Sequence, residues 1–209
     1  MYTLMQVPTF VASYLQLGIS HIVDLAKFDF ILFILVLIAL YRFSDWRKMF
    51  LLVIAYTMAH SLTLTLSSMG VVGAMDSGWV DFLVPLTVMV AAGANLFLSS
   101  EEEKPDTFGK KFWMNYSFAS GFGLLHGFNF FHYFQGHATT TGSHVYNLLQ
   151  LFSFNVGVEL GQFLVVCFAL GLYYFALRYI RIGGLQWTYV VSCTVCMLSA
   201  AVAWLRFPL

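Results

Sequence analysis

The sequence predicts an all-α membrane protein: a polytopic bundle of about seven transmembrane helices, with its N-terminus inside and its C-terminus outside. Three observations predict it. The 209-residue chain is 60% hydrophobic and 10% charged, against about 45–50% and about 25% in a soluble domain. Its apolar residues gather in stretches close to the length of about 20 residues that crosses a hydrocarbon core of about 30 Å. Eight of its ten Lys and Arg residues fall at alternate connections between those stretches.

Taken in order, the expected spans are Val7–Leu25, Phe28–Phe43, Met49–Met69, Trp79–Leu98, Phe112–Phe134, Phe154–Leu177 and Leu185–Leu205. The first is the least apolar and the second is short. Val145–Ser153 reads either as a surface helix or as extra turns on the sixth span. The opening Met-Tyr-Thr-Leu-Met-Gln has neither a basic n-region nor a small-residue cleavage site, so a cleaved signal peptide is not expected. Connections are short and no repeat or composition shift divides the chain, so residues 1–209 are expected to form one integral membrane domain.

Arg42, Arg47 and Lys48 follow the second span, Lys104, Lys110 and Lys111 the fourth, and Arg178 and Arg181 the sixth. The positive-inside rule makes these connections cytoplasmic and gives the orientation. Lys and Arg balance Asp and Glu at ten each, so no net field draws polyanions and nucleic acid is excluded as a partner. The lipid bilayer is the expected one. Cys167, Cys193 and Cys196 all lie in apolar stretches, where Cys acts as a small hydrophobe. Glu101-Glu102-Glu103 reads as solvated charge closing a helix.

The ionisable residues inside spans carry the chemistry, because each costs about 2.5–3.5 kcal/mol at a helix centre. At 1.5 Å per residue, His21, Asp29, Asp81, His126 and Glu159 fall in the outer half of their spans, with His60 close by. Asn155, Glu159 and Gln162 share one helix face at i, i+4, i+7. Tyr56, His60, Thr63 and Ser67 form a polar stripe, with Thr57 and Ser61 beside it. Gly157 and Gly161 form a G-x-x-x-G that admits a neighbouring backbone, and Gly121, Gly123 and Gly127 flank His126. Imidazole plus carboxylate is a ligand set for zinc, nickel, cobalt or ferrous iron. His21, Asp29, His60, Asp81, His126 and Glu159 are therefore the candidate metal ligands. Ser61, Asn155 and Gln162 would orient them, and His132 would cap the site from above.

Several of these segments resemble the motifs of the HupE/UreJ family of membrane proteins. They are His21-Ile22 with Phe28-Asp29-Phe30-Ile31-Leu32-Phe33, then Ala59-His60-Ser61-Leu62-Thr63-Leu64 and Trp79-Val80-Asp81-Phe82-Leu83-Val84-Pro85. The most distinctive are Phe122-Gly123-Leu124-Leu125-His126-Gly127-Phe128 and Phe154-Asn155-Val156-Gly157-Val158-Glu159-Leu160-Gly161-Gln162. The resemblance implies a multi-pass protein of the bacterial inner membrane that carries nickel or cobalt, with His21, Asp29, His60, His126 and Glu159 as metal contacts. Phe30 stands where that family usually has His, and Asp81 where it usually has Glu.

Three functions follow as alternatives. One is transport of a divalent transition metal (nickel, cobalt or zinc) through an outer-leaflet site. Another is an intramembrane metal-dependent hydrolase, in which an open metal position activates water. The third is a structural subunit or assembly partner of a larger membrane complex, or a homo-oligomer.

Overall fold

The computed structural model describes residues 7–24, 28–72, 76–99, 108–137 and 144–208, with the backbone alone at 7, 43, 129–137 and 144–147. Among the described residues seven α-helices follow one another: α1 Val7–Val23, α2 Asp29–Ile38, α3 Trp46–Ser68, α4 Ser77–Leu98, α5 Lys110–His137, α6 His144–Phe175 and α7 Gly184–Leu205. Among the described residues there is no strand. The helical expectation holds, and Val145–Ser153 is the start of a continuous α6 rather than a separate surface helix.

Among the described residues four segments are long and apolar enough to cross a membrane: Trp46–Ser68, Ser77–Leu98, Leu148–Ile180 and Gly184–Leu205. The second expected span is corrected. In place of Phe28–Phe43 stands α2, ten residues long, which rises about 15 Å and reaches half-way across about 30 Å of hydrocarbon. A helix apolar on every side belongs in a core, and α2 lies there: Phe30, Leu32, Phe33, Ile34, Val36, Leu37 and Ile38 are all buried.

The other helices pair around it. Helix α1 packs along α6, α3 along α5 and α4 along α7, while α2 touches α1, α3, α4, α6 and α7. Glycine sets the closeness of the first two pairs. A Cβ on Gly157 would strike the backbone of Leu15, and one on Gly18 would strike the Phe154 carbonyl. The G-x-x-x-G of α6 thus receives α1.

A helix ending inside a bundle leaves carbonyls that water cannot reach. Here neighbouring side chains satisfy them. Asn95 on α4 donates from Nδ2 to the Val36 carbonyl at 2.6 Å, and Thr188 on α7 donates from Oγ1 to the Ala39 carbonyl at 2.7 Å. Just beyond, Asn115 at the start of α5 donates to the Tyr41 hydroxyl at 3.3 Å. The ends of α2 and α4 and the starts of α3, α5 and α7 therefore gather at one pole, where Arg42, Arg47, Lys48, Lys110 and Lys111 lie. The opposite pole holds the start of α2 and the end of α7.

Outward faces are apolar, with Phe97, Phe163, Phe168, Trp204 and Leu205 all exposed. Such a surface suits lipid contact, and the chain is a membrane protein.

The glycine contacts yield a stability contrast. Gly157→Val forces backbone apart, which costs about 1–3 kcal/mol or more for an overpacked contact. Gly121→Ala enters open space and is neutral or stabilising by about 0.5–1 kcal/mol. Thermal unfolding in detergent separates the two; equal midpoints would contradict the close α1–α6 approach.

Candidate metal site at three histidines

Three helices each bring one buried imidazole to a common place beside α2. His21 is in the last turn of α1, His60 lies in the middle of α3, and His126 is on α5. The placement follows from the small-residue contacts. A Cβ on Gly123 would lie 2.5 Å from the Tyr56 carbonyl oxygen and 3.2 Å from the His60 nitrogen. One on Gly127 would lie 2.7 Å from Thr63 Cβ and 2.8 Å from the His60 carbonyl. Because both positions are glycine, α5 lies against the α3 backbone on either side of His60, and His126 between them is carried next to it. On the other side, a Cβ on Gly161 would meet Ile22 Cβ at 2.8 Å, so α6 presses on α1 at the residue following His21.

The ring of His126 stands at the centre, 6.0 Å from His21 and 6.3 Å from His60, centroid to centroid. Aromatic rings fill the space around them. Phe122 stacks on His126 at 5.2 Å, Tyr56 stacks on His60 at 5.8 Å, and Phe154 stands edge-on to His21 at 6.4 Å. From α2, Phe30 reaches within 5.5 Å of His126 and 5.1 Å of Tyr56. Phe33, one turn on, stacks flat on Phe122 at 3.8 Å.

Two imidazoles sharing one tetrahedral ion at a metal–nitrogen distance of about 2.1 Å have centroids about 5 Å apart. The observed spacings are wider by about 1 Å, and among the described residues no three His, Cys, Asp or Glu side chains are close enough together to hold an ion as they stand. The donor chemistry nevertheless fits a transition metal, since imidazole nitrogen suits zinc, nickel and copper. Closing the distance would require the rings to move against Phe154, Tyr56, Phe30 and Phe122, which pack on them.

The three expected carboxylates lie on three different helices. Asp29, in the first turn of α2, is buried, and its Oδ2 accepts from Arg206 Nη1 at 2.5 Å. Sequence reasoning missed Arg206; its signal was a lone basic residue outside the charged connections. Asp81 is half-buried near the start of α4, beside Phe82, whose ring meets Phe207 edge-on at 5.3 Å. Glu159 is exposed on α6. It lies on the turn with Asn155 and Gln162, yet it faces away from the contact those two make.

Asn155 and Gln162 join α6 to α3. Ser61 Oγ donates to Asn155 Oδ1 at 2.7 Å, and Thr57 Oγ1 donates to Gln162 Oε1 at 2.9 Å. The second polar stripe of α3 is therefore the face that α6 uses, and it fixes the helix that carries His60. His132 belongs to α5, but its side chain lies outside the described residues, as do Glu101, Glu102 and Glu103.

The ion pair at α2 predicts an asymmetry. The Asp29 side chain is 5% exposed and that of Arg206 is 28% exposed. Arg206→Met strands a buried carboxylate and costs about 3 kcal/mol, toward the lower end of values for broken buried pairs. Asp29→Asn frees an arginine that can reach solvent and costs about 1 kcal/mol. The double variant, measured by thermal unfolding, should resemble Asp29→Asn; a double variant as unstable as Arg206→Met would contradict the pairing.

No curated protein and no solved structure matches the chain. A family model does, that of the HupE / UreJ proteins, over residues 1–207. With practically the whole length matched, and with apolar helices packed as above, this membrane protein belongs to the HupE/UreJ family.

Proposed function

We propose that the protein carries a divalent transition-metal ion of the nickel/cobalt class across the bacterial inner membrane, with His21, His60 and His126 receiving the ion as cargo. The observation that supports this most directly is the meeting of three imidazoles from three different helices, with His126 6.0 Å from His21 and 6.3 Å from His60. Family membership supports the metal class. A lone histidine in a membrane helix serves packing as readily as binding; three converging in one pocket supply a ligand set.

The ion arrives at the pole that holds the start of α2 and the end of α7. The basic residues at the other pole support a cytoplasmic assignment of that pole under the positive-inside rule. Capture exchanges part of the ion's water shell for imidazole nitrogen. Asp29, adjacent in sequence to Phe30, supplies negative charge near this pole and is balanced by Arg206. The hydrolytic alternative gains no specific support, because the Ser61 hydroxyl donates to Asn155 and Glu159 is exposed.

The sign of the pH dependence follows from the ligands. Imidazole binds metal only when unprotonated, so affinity falls as low pH protonates the ligands. Equilibrium dialysis of purified protein should show weaker binding at low pH than at pH 7.5. Mass-spectrometric metal analysis should find about one ion per chain, lost in His126→Ala. Cellular nickel or cobalt accumulation unchanged by His126→Ala, with unchanged metal content, would refute the reading.

A further inference from the structure

Glu159 is exposed on α6, and among the described residues it has no hydrogen-bond or ion-pair partner. The two contacts between α3 and α6 give its depth. Gln162 meets Thr57 and Asn155 meets Ser61, so Glu159 stands level with Met58 and Ala59, within one turn of the middle of Trp46–Ser68. That helix rises about 35 Å, little more than the hydrocarbon core of about 30 Å, so its middle lies near the centre of the bilayer. A glutamate side chain is too short to carry its carboxyl from there to a headgroup about 15 Å away. A carboxyl held against hydrocarbon at that depth is unfavourable and calls for a partner. We propose that the outward face of α6 is an interface with a second copy of this chain, in which the two Glu159 carboxyl groups meet across a twofold axis along the membrane normal.

The face has the layout that a parallel helix requires. Glu159, Phe163, Cys167 and Gly171 follow one another at every fourth position, and all four are exposed. Such a ridge packs against its equal at a right-handed crossing. Leu160, Leu164, Phe168 and Leu172 form the exposed row beside it. The ridge ends in two small residues, Cys167 and Gly171, at the spacing that lets membrane helices approach closely. Gly157 and Gly161 of the same helix are required by α1, which a Cβ at either position would strike. Gly171 has no such neighbour, since a Cβ there meets nothing within 4 Å. Its small size serves no contact inside the chain and is open to a helix outside it.

A second copy supplies what the carboxyl lacks. Copies inserted in one orientation present α6 in parallel, so the partner carries its own Glu159 at the same depth. A twofold axis makes the contact self-complementary, with each ridge facing its equal. One carboxyl that holds a proton donates to an oxygen of the other, and polar pairs of this kind join helices in lipid. Other faces of the chain do not match Glu159 in this way. Every described Lys and Arg lies at or near the end of an α-helix, far from this depth. Met58 and Leu62, the exposed residues of α3 beside its contacts with α6, are apolar. The partner group that depth and orientation provide is therefore the carboxyl itself. This contact is independent of any ion at the histidines.

The experiment reconstitutes the full chain in phosphatidylcholine vesicles and counts copies by single-molecule photobleaching as protein density is lowered. The unmodified chain should pass from two copies to one at low density. Glu159→Leu, which puts an apolar group in place of the carboxyl, should raise the dissociation constant about tenfold. Glu159→Gln, whose amide both donates and accepts, should pair nearly as well as the unmodified chain. Gly171→Leu, which fills the close approach, should also weaken pairing. Both positions point away from the other helices, so these variants keep the fold. Oxidation in native membranes should link chains through Cys167 when Cys193→Ser and Cys196→Ser leave it as the one cysteine. A chain that stays single at every density overturns the proposal, and so does a dimer that Glu159→Leu does not weaken. Linkage through Cys193, on α7, in place of Cys167 would move the interface to another face and overturn it as well.

Discussion

The structure depends on burying a ten-residue helix that is too short to cross the bilayer. A helix end inside hydrocarbon costs several kcal/mol for each unsatisfied backbone group, so α2 is stable only where its neighbours complete its hydrogen bonds. Asn95 and Thr188 do this at its C-terminal carbonyls, and at the other end the Asp29 carboxylate is met by Arg206. Helix α7 supplies a partner at both ends. The three outer pairs, α1 with α6, α3 with α5 and α4 with α7, then have a common core to enclose.

That arrangement also explains why the histidines meet. Gly123 and Gly127 bring the backbones of α5 and α3 together at His60, while Gly161 brings α6 onto α1 beside His21. Each of these close approaches includes an imidazole residue or its immediate chain neighbour. Packing specificity and the placement of the histidines thus come from the same positions, and the Phe30 face of α2 lies beside His126.

Much of the helix order could be read from apolar stretches and glycine spacing, because both are local properties of the chain. Gly157 and Gly161 on α6 announced a close neighbour, though the identity of that neighbour as α1 needed the structure. The length of α2 could not be read in this way. Phe28–Phe43 is apolar between Asp29 and Arg42 near its two ends, and its helix ends at Ile38 because side chains from α4 and α7, distant in sequence, cap it there. The polar residues divide for a similar reason. Helical depth placed His21, His60 and His126 at related heights, and the rings of the first two stand 6.0 and 6.3 Å from that of His126. Depth carries no information about rotation, however, and Glu159 turns outward although Asn155 and Gln162, on nearly the same face, turn toward α3. Asp29 found its partner in Arg206, 177 residues away, a distance over which no periodicity speaks.

X-ray absorption fine structure of the metal-loaded protein tests most directly whether the three imidazoles form one site. A first shell dominated by nitrogen, with the outer-shell scattering pattern of three imidazole rings, is the expected result. A shell made mostly of oxygen, or scattering from no more than one imidazole, would contradict it and return His21, His60 and His126 to a role in packing alone.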